Sequence, residues 1–276
     1  MAAVLDFHIH IRTPVHRGVW SFVREINPGL EAQLPAFERR EGVEAALAAE
    51  GVEQAVVIPE LLPFSRYWIT AEWIAEYCRG SGRLIPFAHF NPLEEGDPVK
   101  TLRRQVQEMG CRGLKLLPSY QLFSLTDRRL YPVYEEAQSL GIPCMFHCGS
   151  SVFDRTVLRF CDPLQMDELC RDFPNLVLVA AHGGRGFWYR EVAFLARLHR
   201  NLYFDVAGLP PQKLLEFFPD LPRLTDRILF GSDWPVIPGG RIRPNIEAIR
   251  ALPIPPAAAE AILGGTARRL LRLAGC

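Results

Sequence analysis

Five of the seven histidines, His8, His10, His89, His147 and His182, stand at or near the ends of short apolar runs. A neutral imidazole offers one lone-pair nitrogen, so histidines that converge can share a cation or move a proton. The tightest spacing is L-D-F-H-I-H, residues 5–10. Side chains alternate along a strand, which predicts Asp6, His8 and His10 on one face and Leu5, Phe7 and Ile9 on the other, the apolar face turned to helices. Two neutral imidazoles on one face can bind a cation. Without one, each needs a buried hydrogen-bond partner.

Three further positions repeat the theme. His147 ends an apolar run and precedes Cys-Gly-Ser-Ser, and His182 ends another and precedes Gly-Gly-Arg-Gly. Asp233 lies in F-G-S-D-W-P, where it serves either as a turn or helix cap or as a carboxylate ligand. Lys115 interrupts G-L-K-L-L-P, and it is one of three lysines in the chain. Burying an ammonium costs several kcal/mol unless it is compensated, so a carboxylate, a substrate anion or chemical modification is expected beside it. An ion pair to Asp205 and a role in the site are both open.

Positioning such residues together requires elements that bring distant segments to one place. Eight short apolar or β-branched runs alternate with helix-like segments, at residues 4–10, 54–60, 84–90, 113–118, 143–148, 176–182, 201–207 and 227–233. Residues 98–109 and 129–140 space apolar side chains three and four apart, as a helix does. The tail PPAAAEAILGGTARRLLRL reads as two helical pieces broken at Gly264 and Gly265, packed outside the strands. This alternation predicts an α/β fold, a (β/α)8 TIM barrel formed by residues 1–276 as one domain. In such barrels the C-terminal strand ends share one mouth. Residues 11–35 are an insertion after the first strand and are expected to form an active-site loop. Arg12, Arg17 and Arg185 fall near that mouth and suit a carboxylate, while Trp20, Tyr67, Trp68, Tyr120 and Trp234 suit a planar or apolar group.

Composition narrows the partners. The 31 basic and 31 acidic residues balance without a charged tail or stripe, which argues against nucleic acid. The beginning MAAVLDFHIH has no leader pattern, and no run approaches 18 apolar residues, so a soluble cytoplasmic protein without membrane contact is expected. Seven cysteines, an odd number without C-x-x-C spacing, suit free thiols in a reducing compartment.

Together, D-F-H-I-H, G-L-K-L-L-P, F-H-C-G-S-S, A-A-H-G-G and F-G-S-D-W-P resemble, in order across residues 4–272, the amidohydrolase superfamily. More narrowly they resemble its amidohydrolase-related branch, which includes aminocarboxymuconate semialdehyde decarboxylase and γ-resorcylate decarboxylase. The resemblance implies one divalent metal, usually zinc, held by His8, His10, His147 and Asp233, with His182 kept beside the metal-bound water as a catalytic residue. Other branches bridge two metals with a carboxylated lysine on the fourth strand, and Lys115 keeps that alternative open. Branch members often dimerise, which implies a homodimer here.

Such a set leaves a cation an open position and lowers the pKa of a water there toward about 7. Asp233 is then expected to take the proton, and His182 to polarise the substrate oxygen. The leading expectation is hydrolysis of an ester, lactone or amide in a small carboxylated substrate, with Lys115, Arg12, Arg185, Tyr120 and Trp234 as candidate substrate contacts. The alternatives are nonoxidative decarboxylation of an unsaturated or aromatic acid, and a barrel that binds without catalysis.

Overall fold

Apolar residues alternate between the two faces of the central strands, with Leu5, Met145 and Val179 in an inner cluster and Val4, Phe146 and Ala180 in an outer one, so the strands are buried on both sides. The computed structural model describes residues 3–11, 25–63, 68–151, 153, 155–237 and 240–273. Eight parallel strands follow one another: β1 (Val4–Ile9), β2 (Val52–Val57), β3 (Leu84–Pro86), β4 (Leu114–Leu116), β5 (Cys144–Gly149), β6 (Leu178–Arg185), β7 (Leu202–Asp205) and β8 (Ile228–Leu229). Consecutive strands pair in parallel from β1 to β3 and from β4 to β8. Two contacts close the ring. Ala88 bridges Leu114, and Phe7 N–H donates to the Phe230 carbonyl at 2.7 Å beside the Ile9–Trp234 bridge. The architecture is a (β/α)8 barrel.

Helices Pro98–Gln107 and Tyr131–Leu140 lie where the periodicity puts them. The first has a proline at its start, where no N–H is needed, and Asp97 caps it by accepting from Lys100 N–H at 2.9 Å. The second strand ends at Val57, and Glu60–Leu61 instead pairs antiparallel with Trp68–Ile69. Of the expected loop insertion, residues 12–24 lie outside the described residues, whereas Leu30–Phe37 forms a helix buried through Leu30, Leu34 and Phe37. Among the described residues, no helix is long and apolar enough to cross a membrane.

Two expectations about packing are corrected. Leu5 and Phe7 do not face the helices: they fill the barrel interior with Val56, Ile58, Ile85, Phe87, Met145, Val179, Ala181 and Leu229, whereas Ile9 belongs to the outer core. The register explains this. Asp6 pairs with Ala55 and Ile9 with Val57, so β1 advances three residues while β2 advances two, and the extra residue reverses the alternation. The C-terminal helix Thr266–Leu271 is not on the outer wall either. Its Ala267 and Leu271 join the Leu5 and Phe7 cluster and seal the end of the barrel opposite the mouth.

Candidate metal centre

β1 brings His8 and His10 to the mouth, and the turn after β8 brings Asp233 to meet them. Asp233 N–H donates to the His8 carbonyl at 2.9 Å, so the backbone itself sets the approach. His10 Nε2 is 3.3 Å and His8 Nε2 is 3.8 Å from Asp233 Oδ1. Two ligand atoms at about 2.0–2.1 Å from one tetrahedral ion stand roughly 3.3–3.4 Å apart, so these separations fit a shared cation. The opposite nitrogens are engaged: His8 Nδ1 with Asp205 Oδ2 at 2.9 Å, and His10 Nδ1 with the Ile58 carbonyl at 3.3 Å. A carbonyl or a carboxylate accepts from Nδ1–H, which leaves each Nε2 as a lone pair aimed at Asp233. His8, His10 and Asp233 form a group whose chemistry and spacing suit a divalent metal.

His182 lies alongside, its ring centroid 4.8 Å from that of His8 and 4.9 Å from that of His147. Its Nδ1–H donates to the Ala207 carbonyl at 3.0 Å. His182 and Asp233 both have left-handed backbones, with φ of 66° and 67°, a conformation that costs a non-glycine residue about 1–2 kcal/mol. Two of the four left-handed non-glycine residues described thus lie on the same pocket.

His147 is not brought into the group. It points inward from β5, but its Nε2 is 3.2 Å from the hydroxyl of Tyr120, a buried residue of the short helix Pro118–Gln121. One of its two ring nitrogens is thus engaged by a phenol. His89, the fifth strand-end histidine, is structural: Nδ1 meets the Lys115 carbonyl at 2.6 Å and Nε2 accepts from Leu61 N–H at 3.0 Å.

The remaining candidates divide. Lys115 points into the barrel from β4 and is buried. Arg185 reaches the pocket edge, with Nη1 3.9 Å from Asp233 Oδ2 and Nη2 donating to the Ser150 carbonyl at 3.2 Å. Gly208 makes room for it: a Cβ there would lie 2.7 Å from Arg185 Nη1 and 3.2 Å from Asp233 Oδ2, and its φ is +68°. Trp234 is corrected from the mouth to the core, where it is 3% exposed and packs on Phe37 at a ring separation of 5.0 Å. The reason is local, since Ile9 pairs with Trp234 on the outward register. Arg12, Arg17, Trp20 and Tyr67 lie outside the described residues.

Two acids escaped sequence reasoning as site residues. The ion pair to Lys115 that the sequence leaves open for Asp205 is not its main contact: its oxygens accept from His8 Nδ1 and from the N–H groups of His182 and Ala207, and it acts on the Lys115 ammonium as a nearby charge. Glu60 is buried with Oε2 3.6 Å from His10 Nδ1. Both had a legible signal, an acid at the C-terminal end of a predicted strand.

Burial, followed by the charge of Lys115, holds the His8 imidazole below its usual range. Burial lowers His147 and His182 further, with Lys115 and Arg185 respectively adding to it, so these rings are neutral near pH 7. Burial alone would raise the Asp233 carboxyl, but the neighbouring His10, His182 and His8, wherever a proton sits on them in place of a cation, outweigh that and hold it well below the carboxylate range. Burial brings the Lys115 ammonium down to about 8 against the pull of Asp205, Asp233 and Glu60. The pocket combines neutral nitrogen donors with an ionised oxygen donor, the protonation state that metal binding requires.

Comparison with known proteins agrees with this geometry. Residues 6–273 match the family described as Amidohydrolase. A 2-keto-4-carboxy-3-hexenedioate hydratase from a Sphingobium strain is 30% identical over 165 residues, 49% of this chain and 47% of the relative, so the match spans about half of that protein's length. An uncharacterised TIM-barrel protein from Bordetella bronchiseptica superimposes with a TM-score of 0.77 at 25% identity, covering 98% of this chain and 99% of that one. A dihydroxybenzoic acid decarboxylase from a Polaromonas species, solved with manganese and 2-nitroresorcinol, shares the fold with a TM-score of 0.73 at 18% identity, covering 100% of this chain and 98% of that one. With the family match running from Asp6 past the end of the C-terminal helix, the chain is an enzyme of the amidohydrolase family.

Proposed function

We propose that this enzyme is a metal-dependent hydrolase that holds one divalent cation through His8, His10 and Asp233 and adds water to an ester, lactone or amide bond of a small carboxylated substrate. The supporting observation is the convergence of His8 Nε2 and His10 Nε2 on Asp233 Oδ1, with both Nδ1 atoms engaged elsewhere. The nitrogen-rich set suits Zn2+, and Mn2+, present in the dihydroxybenzoic acid decarboxylase structure, is the first alternative. Bound there, the cation supplies Lewis acidity that brings the pKa of water toward about 7.

The chain's own residues then handle protons and orientation. Neutral His182, its Nδ1–H spent on Ala207, presents a lone pair at Nε2, so it accepts a proton from the attacking water and returns it to the leaving group. This revises the role expected from the sequence, because the one N–H of the neutral ring is held by Ala207 and none is left to polarise a substrate oxygen. The ionised Asp233 carboxylate is the second acceptor at the same place. Arg185 offers the donors not used by Ser150 to a substrate carboxylate, and Lys115 supplies positive charge from the floor of the pocket.

The hydratase relative and the decarboxylase of like fold favour a second reading, a lyase that uses His182 to protonate a substrate carbon. Metal analysis of the purified chain, followed by assays on carboxylated lactones and esters and on unsaturated acids, separates these. Ring opening or ester cleavage supports the hydrolase. Carbon dioxide release without net water consumption replaces it with the lyase, and turnover independent of metal sinks both.

A further inference from the structure

Beside His8, His10 and Asp233 lies a second group with metal-like spacing, His8, His182 and Asp205, which shares His8 with the first. Its atoms are already committed. Asp205, fully buried at the end of β7, accepts from His8 Nδ1 through Oδ2 at 2.9 Å, and through Oδ1 from His182 N–H at 2.7 Å and Ala207 N–H at 3.0 Å. The same strand end accepts His182 Nδ1–H through the Ala207 carbonyl. Gly231 leaves the space this requires, since a Cβ there would lie 2.8 Å from His8 Cβ and 3.5 Å from Asp205 Cγ.

From these contacts we infer that Asp205 is a positioning residue that sets the tautomer of His8 and clamps the left-handed backbone of His182, so that this second group is a hydrogen-bonded clamp and not a second cation site. An ionised carboxylate only accepts, so it selects the His8 form with the proton on Nδ1 and the lone pair on Nε2. The same side chain holds the N–H of His182, whose φ of 66° would otherwise relax. One carboxylate therefore aims the candidate ligand and fixes the candidate proton carrier next to it.

Asp205→Asn tests this with little change of shape. Two backbone N–H groups claim the amide oxygen, which turns the amide NH2 toward His8 Nδ1. That donor reverses the tautomer, placing the proton on Nε2, the nitrogen that faces Asp233. The tautomer is read in the metal-free full-length chain by two-bond proton–nitrogen NMR on 15N-histidine protein, with the His8 signals assigned from their loss in His8→Gln. The wild-type chain is expected to show the Nδ1–H form at His8, and the variant the Nε2–H form. Titration with Zn2+ alone is expected to show affinity lower by about 10- to 100-fold in the variant, the usual consequence of losing an outer partner of a ligating histidine. Wild-type stoichiometry is expected to be one ion per chain.

An Nε2–H signal for His8 in the wild type overturns the inference without any variant, so failure of Asp205→Asn to fold does not shield it. An unchanged tautomer in Asp205→Asn, or two Zn2+ ions per wild-type chain, also overturns it. The affinity arm rests on the metal reading above, whereas the tautomer arm does not. Absence of Zn2+ and Mn2+ binding in the wild type together with the Nδ1–H form therefore defeats that reading and leaves the role of Asp205 supported.

Discussion

The Tyr120 hydroxyl lies 3.2 Å from His147 Nε2, so the imidazole expected as the third nitrogen ligand is hydrogen-bonded to a phenol instead. A metal that recruits His147 must displace this bond. Tyr120→Phe removes the competitor and is expected to raise Zn2+ affinity roughly 2- to 10-fold, the equivalent of a net hydrogen bond of about 0.5–1.5 kcal/mol. Isothermal titration of metal-free protein checks it, and a fall in affinity would show that Tyr120 supports His147 as a ligand.

His10 Nε2 and Asp233 Oδ1 face each other at 3.3 Å. His10→Ala and Asp233→Ala are each expected to weaken metal binding by more than about 100-fold, beyond the ~10- to 100-fold seen for outer partners. Metal content after gel filtration measures this. Retention of a full equivalent by either variant would remove the proposed ligand set.

His182 is expected to matter for turnover and not for loading. His182→Asn should lower kcat by about 100- to 10,000-fold, the usual contribution of a positioned acid or base, while metal content stays at the wild-type value. Steady-state kinetics paired with metal analysis decides. Loss of the metal in this variant would reassign His182 as a ligand.

Lys115 predicts a pH signature in the metal-free chain. Its ammonium titrates at about 8 in the folded protein against 10.5 for the free side chain, so between these values the unfolded state holds more protons. The burial of this charge costs about 3 kcal/mol below pH 8, and the penalty fades as pH rises toward 10.5. Wild-type stability measured by urea unfolding should therefore rise relative to Lys115→Met across that window. A constant difference from pH 7 to 10.5 would mean that Lys115 is not a titrating buried ammonium.

Gly208 should act on substrate affinity through Arg185. In Gly208→Ala the added methyl meets the guanidinium 2.7 Å away and strains a backbone at φ +68°, which costs about 1–2 kcal/mol of stability. With a carboxylated substrate KM is expected to rise several-fold as Arg185 is pushed aside, with metal content unchanged. Arg185→Met should raise KM more, and an unaltered KM in both variants would exclude Arg185 from substrate binding.

Much of this site was legible in the chain. Apolar runs that alternate with helical spacing determined eight parallel strands, and the placing of His147, Lys115 and Asp205 on such runs brought them into the barrel with β5, β4 and β7. The order of motifs determined the family. Tertiary structure decided the rest, because those outcomes depend on how distant strands meet. The extra residue in β1 puts Leu5 and Phe7 in the barrel while His8 and His10 still reach the mouth, a break that the simple period of two could not show. The partnership of His8 with Asp205 joins residues 197 apart, and Tyr120 reaches His147 only because a short helix folds back over β5. Residue types and spacing define which groups are available for chemistry. Barrel closure and register decide which nitrogen of each histidine is free to take part.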